Sequence, residues 1–133
     1  MASGIPKFYK DEIGDALVAE TWKLALFTNS YTPNYSTDEL YSSLSNEVAS
    51  GGGYTTGGAA IASKAVSYVD TVNVKLTAAD VTWTAATFTA RYGVLYNTSN
   101  SKIRMIFDFG GDKVVTGGTF TVAWNASGIV KIS

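Results

Sequence analysis

Apolar and polar residues alternate along much of the chain from residue 63 onward, most clearly over 87–96 and 102–109. In the first of these segments the apolar positions are Phe88, Ala90, Tyr92, Val94 and Tyr96. A period of two places successive side chains on opposite faces of a strand. Shorter apolar runs precede and follow these segments, and turn residues separate them. Seven or eight short strands with almost no helix predict an all-β fold, namely a single β-sandwich with jelly-roll-like or related Greek-key connections.

The alternation also predicts which side chains form the core. One face of each run supplies the expected core residues: Leu24, Leu26, Val74, Phe88, Tyr92, Val94, Met105, Phe107, Val122 and Trp124. Residues 97–101 are expected to join two of the strands as a hairpin.

The segment 29–58 has neither a strand nor a helix period. A Thr N-cap candidate and two early acids at 37–39 predict one short helical turn over 37–44. Five glycines between residues 51 and 58 predict a long irregular loop. The segment also carries four tyrosines, at Tyr31, Tyr35, Tyr41 and Tyr54. Tyrosine in loops is typical of protein-binding surfaces, so we predict that these four contact a partner, although the rings could equally fold back over the core.

Residues 1–21 differ from the remainder, because four of the eleven acids lie between residues 11 and 20. Ile13, Leu17 and Val18 have a weak helical spacing that Gly14 interrupts. We interpret 1–21 as an N-terminal arm or short helix that becomes ordered on a partner; an edge strand or frayed end is the alternative. Residues 22–133 then form one domain, and a chain of 133 residues is long enough for one core.

The amino-acid composition excludes most kinds of catalytic site. The chain contains no His and no Cys, which excludes imidazole bases, thiolate nucleophiles and the usual zinc sites. Asp108 and Asp112 could hold calcium, but the calcium-loop pattern needs further acids, so an Asp that caps a glycine turn is favoured. We therefore predict no enzyme activity, no catalytic residue, no cofactor and no metal. The net charge of −1 without a basic stripe argues against nucleic acid, and no apolar run approaches a membrane span.

Several segments resemble a family of short virion proteins of tailed bacteriophages. The similarity lies in residues 22–48 (WKLALFTNSYTPNYSTDELYSSLSNEV), 53–58 (GYTTGG), 80–96 (DVTWTAATFTARYGVLY), 106–110 (IFDFG) and 118–132 (GTFTVAWNASGIVKI). It covers roughly 22–133, and its most specific parts are SYTP, GYTTGG and TARY. Residues 1–21 lie outside it.

The resemblance implies a structural protein of capsid decoration or cement type, bound to the major capsid protein on the capsid exterior and assembled in the host cytoplasm. Low charge gives little self-repulsion, so a homo-oligomer is expected. Three alternatives remain open: a tail or fibre-attachment component, a carbohydrate-binding β-sandwich module, and, last, a small carboxylate hydrolase. A sugar binder would bring Tyr or Trp beside Asp, Asn or Arg in one shallow site.

Overall fold

The computed structural model of the chain describes residues 7–68, 74–124 and 130–132. In chain order its elements are helix α1 (Lys7–Ala19), β1 (Trp22–Phe27), a 3-10 turn (Tyr41–Ser43), β2 (Ala59–Ala60), β3 (Ala65–Tyr68), β4 (Val74–Thr77), β5 (Val81–Asn97), β6 (Ile103–Val122) and β7 (Val130–Ile132). Strands predominate and every pairing is antiparallel, which confirms the all-β prediction. The contacts group the chain into two compact units, one of residues 1–20, 61–80 and 123–133, the other of residues 21–60 and 81–122.

The second unit is a four-stranded sheet with the strand order β2-β1-β5-β6. β1 pairs with β5 without interruption from Trp22 opposite Asn97 to Phe27 opposite Tyr92. Every β1 residue except Lys23 is buried, as expected for a short apolar strand inside a sheet. This pairing forms the centre of the unit.

β5 and β6 form a long hairpin whose turn lies at residues 98–101, as the sequence predicted. The pairing is not regular along its length. Between Ala90 opposite Lys113 and Tyr92 opposite Asp108, β5 supplies one residue and β6 supplies four, and a second irregularity lies near Gly117. Such bulges bend a strand without ending it.

The first unit contains α1 and a three-stranded sheet of order β3-β4-β7. The helix contacts β3 and β4. Gly14 allows a close approach, since a Cβ there would lie 2.9 Å from Val66 Cγ2. Lys64 Nζ donates to the carbonyl oxygens of Leu17 (3.3 Å) and Glu20 at the end of the helix. Residues 7–19 therefore form a helix that contacts β3 and β4 of their own chain.

The core prediction is partly right. Leu24, Leu26 and Val94 are fully buried, whereas the other six whose side chains are described are only half-buried: Phe88, Tyr92, Met105, Phe107, Val122 and Trp124. For Val74, the structure describes only the backbone, in β4. The alternation failed at the end of β5, where residues 93–97 are all buried, because that stretch is covered on both faces. Among the described residues, no helix is both long and apolar enough to cross a membrane.

Candidate interaction surface

The four tyrosines predicted to contact a partner have different environments. Tyr31 and Tyr54 are 5% and 2% exposed, and Tyr41 is half-buried. Tyr35 is 72% exposed. Burial removes Tyr31 and Tyr54 from the surface that a partner can contact, so for these two the structure favours the alternative that the rings cover the core. Tyr35 is the member of the set that presents most of its ring to solvent.

Glu47 is the side chain that holds the irregular segment 29–58 together through hydrogen bonds. Its carboxylate accepts hydrogen bonds from the hydroxyls of Tyr41 and Tyr54 (2.5 Å for Tyr54) and from the backbone N–H of Gly57 (2.8 Å). The Tyr54 hydroxyl in turn accepts from the N–H of Leu26 in β1 at 2.9 Å. The segment 47–57 thus supplies a hydrogen-bond partner for the backbone of β1 along the edge that faces away from β5.

The same contacts hold the buried phenols neutral. Burial, followed by the hydrogen bond to Glu47, raises the pKa of Tyr54 and of Tyr41 above the ordinary value of 10.0. Tyr96 stacks on Tyr41 with ring centroids 4.1 Å apart and donates its hydroxyl to the carbonyl of Gly57 at 2.6 Å. These groups are structural donors within the unit.

A second carboxylate, Asp38, fixes the first half of the segment. It accepts from the Tyr31 hydroxyl at 2.7 Å and from the Asn34 N–H at 2.9 Å. Burial and the bond to Asp38 raise the pKa of Tyr31. The Tyr31 ring lies 4.9 Å from that of Phe27 and 5.6 Å from that of Tyr92. The turn at 34–38 is therefore anchored to the sheet, and it holds Tyr35 outward.

Tyr35 borders a shallow depression of about 370 Å³ beside the start of β6. Its lining consists of Tyr35, Asp38, Ile103, Arg104, Met105 and Ile106. An aromatic ring, a carboxylate, a guanidinium and three apolar side chains thus meet in one exposed place. The sequence did not indicate that Tyr35 and Arg104 lie at the same site.

β6 itself is the outermost strand of its sheet. None of its twenty residues is buried, although many are apolar, and Val114 is 70% exposed. Near the start of β6, Leu40 forms an isolated antiparallel β-bridge with Lys102. The Ile103 N–H also donates to the Glu39 carbonyl at 2.9 Å. Beyond that point no described strand pairs with its outer edge, which leaves backbone donors and acceptors open to another chain.

The Asp108 side chain caps the backbone of Gly110, as the sequence predicted, but the chain does not turn there, because β6 continues through both residues. The Asp108 carboxylate accepts from the Gly110 N–H at 2.8 Å, and Gly110 has a φ of 83°. Arg91 Nε lies 3.0 Å from Asp108 Oδ1, and this hydrogen bond, with that of Gly110, lowers the pKa of Asp108. Asp112 instead accepts from the Asn29 side-chain amide at 3.0 Å.

The glycines of 51–58 serve contacts within the chain. The Gly52 carbonyl accepts from the Thr87 N–H at 2.8 Å, and a Cβ on Gly52 or Gly58 would collide with a strand carbonyl. These glycines therefore allow the backbone of the predicted loop to approach β1 and β5 closely.

Glu47 is the organising residue that the sequence interpretation missed. The sequence did contain an indication of this role, because 29–58 has three acidic residues and no Lys or Arg. Within that segment, only neutral hydroxyl and amide groups could donate hydrogen bonds to the three carboxylates. In the described part of the chain, no group of three or more His, Cys, Asp or Glu side chains could hold a metal ion.

No family model, curated protein or solved structure matches this chain.

Proposed function

We propose that this protein is a structural virion component that binds the outside of a tailed-phage capsid and reinforces it as a decoration or cement protein. The resemblance of residues 22–133 to short phage virion proteins suggests the setting, and the major capsid protein is then the partner. One observation in the structure carries the proposal: a twenty-residue edge strand, β6, has no buried residue.

Part of the apolar surface of this strand is accessible to solvent. Ile103 and Ile106 are half-buried against the core, Met105 and Phe107 are half-buried, and Val114 is exposed. Covering apolar side chains and pairing free backbone groups are the two main sources of association energy for a sheet edge. A protein whose task is to adhere to a shell benefits from such a surface, and many copies compensate for a modest interface each.

Tyr35 is the side chain that we expect to anchor this contact. Among the described residues it is the most exposed large apolar side chain, and it adjoins Ile103 to Ile106 of β6. Interface energy concentrates in a few aromatic or Arg anchors. Tyr35→Ala should therefore weaken shell binding by on the order of 1–3 kcal/mol without unfolding the chain.

The experiment locates the protein and then tests the anchor. Labelled antibody on purified particles in electron micrographs should mark heads, and purified protein should co-sediment with undecorated shells. Tyr35→Ala should reduce co-sedimentation, whereas Thr55→Ala, at another exposed position, should not. Label confined to tails would replace the proposal with a tail or fibre-attachment role, and absence from particles would refute both.

A carbohydrate-binding role is the second candidate, because Tyr35, Asp38 and Arg104 line one shallow depression. Sugars stack on aromatic rings and exchange hydrogen bonds with carboxylate and guanidinium groups. Binding of a defined glycan on an array, lost in Tyr35→Ala and kept in Thr55→Ala, would favour this function. No binding across the array would remove it.

A further inference from the structure

The second half of β6 contains a short symmetric sequence, because residues 116–119, T-G-G-T, read the same in both directions. Residues 114–122 are V-V-T-G-G-T-F-T-V, with a glycine pair, Gly117 and Gly118, at the centre. The stretch carries no charged residue. Antiparallel pairing of two identical strands matches each residue with one from the opposite end, so the T-G-G-T centre pairs identical residues, and the flanking valines lie opposite Phe120 and Thr121.

This stretch is accessible along its edge. Val114, Thr116, Thr119 and Thr121 are exposed, and Phe120 is half-buried. Within residues 7–68, 74–124 and 130–132, no strand other than β5 pairs with it. An uncharged, β-branched edge strand is the kind of edge that pairs with another chain unless something blocks it.

We propose that two copies of this chain associate through antiparallel pairing of their β6 strands, with a two-fold axis between Gly117 and Gly118. Thr116 then lies opposite Thr119 of the second copy, and Val115 lies opposite Phe120 of the second copy. Thr–Thr and β-branched–aromatic pairs are among the favourable cross-strand combinations. Each pair occurs twice because the contact is isologous.

The facing of the side chains agrees with this register. Phe120 pairs with Trp83 of β5 and Val115 pairs with Phe88, and the rings of Trp83, Phe88 and Phe120 contact one another on one face. Phe120 lies five positions after Val115, and in a regular strand this odd offset would place them on opposite faces. The irregularity at Gly117 restores them to the same face, as directly opposed partners in a sheet must be.

The threonines occupy the other face. Thr116 pairs with Thr87 and Thr121 pairs with Thr82, and all four are exposed. In the proposed register the nearest charge, Lys113, lies opposite Val122 of the second copy. No like charges therefore face each other across the axis, and the association has no electrostatic cost along this segment.

Charged residues introduced at positions 116 and 119 test the proposed register of the two β6 strands. Thr116→Glu/Thr119→Glu sets two pairs of like charges against each other, and should weaken the dimer at least about ten-fold in sedimentation equilibrium. Thr116→Lys/Thr119→Glu sets opposite charges in the same places, and should return association to within about three-fold of wild type. Thr55→Glu/Thr56→Glu adds the same charge at exposed positions away from β6 and should leave the dimer unchanged.

Cross-linking gives an independent measure, because the chain contains no cysteine of its own. A mixture of Thr116→Cys and Thr119→Cys chains should form disulfide-linked dimers faster than either variant alone. A wild-type chain that stays monomeric up to about 1 mM, equal cross-linking in all three samples, or equal weakening by both charge variants would overturn the proposal. It does not depend on a virion role, since free protein is used throughout.

Discussion

Removing the hydroxyl of Tyr54 tests the idea that the irregular segment completes the hydrogen bonding of β1. Tyr54→Phe keeps the ring, which packs 6.2 Å from Trp83 and 5.9 Å from Phe88 between centroids. The substitution deletes the 2.5 Å bond to Glu47 and the 2.9 Å bond from the Leu26 N–H. No cavity larger than one oxygen is created, so the effect reports on polar contacts.

The size of the destabilisation depends on which hydrogen bonds Glu47 and the Leu26 N–H keep in the variant. Glu47 still accepts from Tyr41 and Gly57, so its carboxylate keeps two donors. The Leu26 N–H lies in a fully buried residue and loses the acceptor that it has in the Tyr54 hydroxyl. An unsatisfied buried donor costs about 1–3 kcal/mol, and the lost bond to a carboxylate adds about 1 kcal/mol. The free energy of unfolding should fall by about 2–4 kcal/mol, which for this chain length lowers Tm by about 7–14 °C.

Urea denaturation of wild type, Tyr54→Phe and Tyr35→Phe measures the effect. The Tyr54 variant should shift the midpoint with an unchanged slope, and the exposed Tyr35 control should stay within about 0.5 kcal/mol of wild type. If Tyr54→Phe costs less than about 0.5 kcal/mol, or no more than the control, the hydroxyl is not a structural acceptor and the reasoning fails.

Three further predictions concern other contacts. Gly58→Ala should prevent stable folding, because its Cβ would collide with the Leu24 carbonyl at a φ of 84°, whereas Gly111→Ala, with no heavy atom within 4 Å, should leave Tm nearly unchanged. Lys64→Met removes the donor at the end of α1 and should speed hydrogen exchange of the last helical turn; unchanged exchange would show that the lysine does not hold it. The raised pKa of Tyr31 and the similar buried phenols means that the unfolded state ionises first as pH rises past 10.0. Stability present below that pH should therefore be lost by about 1.4 kcal/mol per pH unit per tyrosine above it; reversible ionisation of Tyr31 itself near pH 10.0 in the folded chain would contradict this.

The sequence predicted the strands better than their ends. The alternation over 87–96 predicted a strand of that length, yet β5 begins at Val81 and continues through an irregularity near Ala85, whose φ is 46°. Likewise a glycine turn was predicted after Asp108, yet Gly110 lies inside β6 at positive φ, as does Gly117. Glycine at positive φ serves turns and bulges equally, so the pattern alone cannot tell a strand that ends from one that bends.

The candidate surface was predictable only in part. Tyrosines in an irregular segment serve an interface or a core, and composition does not separate these uses. What separates them is the position of an acceptor: Glu47 draws two hydroxyls inward, and Asp38 draws a third. Tyr35 remains outside, next to β6 residues more than sixty positions later in the chain, and such long-range proximity leaves no local signal.

The pairing of β1 with β5 has a consequence for how the chain is made. Lys23 pairs with Tyr96, so β1 leaves the ribosome roughly 70 residues before its main partner. At elongation rates of about 5–20 residues per second, its apolar run stays uncovered for several seconds. The Tyr54 hydroxyl and the segment around Glu47 emerge earlier than β5 and can cover the other side of β1 in the meantime. Chains truncated between residues 60 and 90 should therefore be the most prone to aggregate during synthesis.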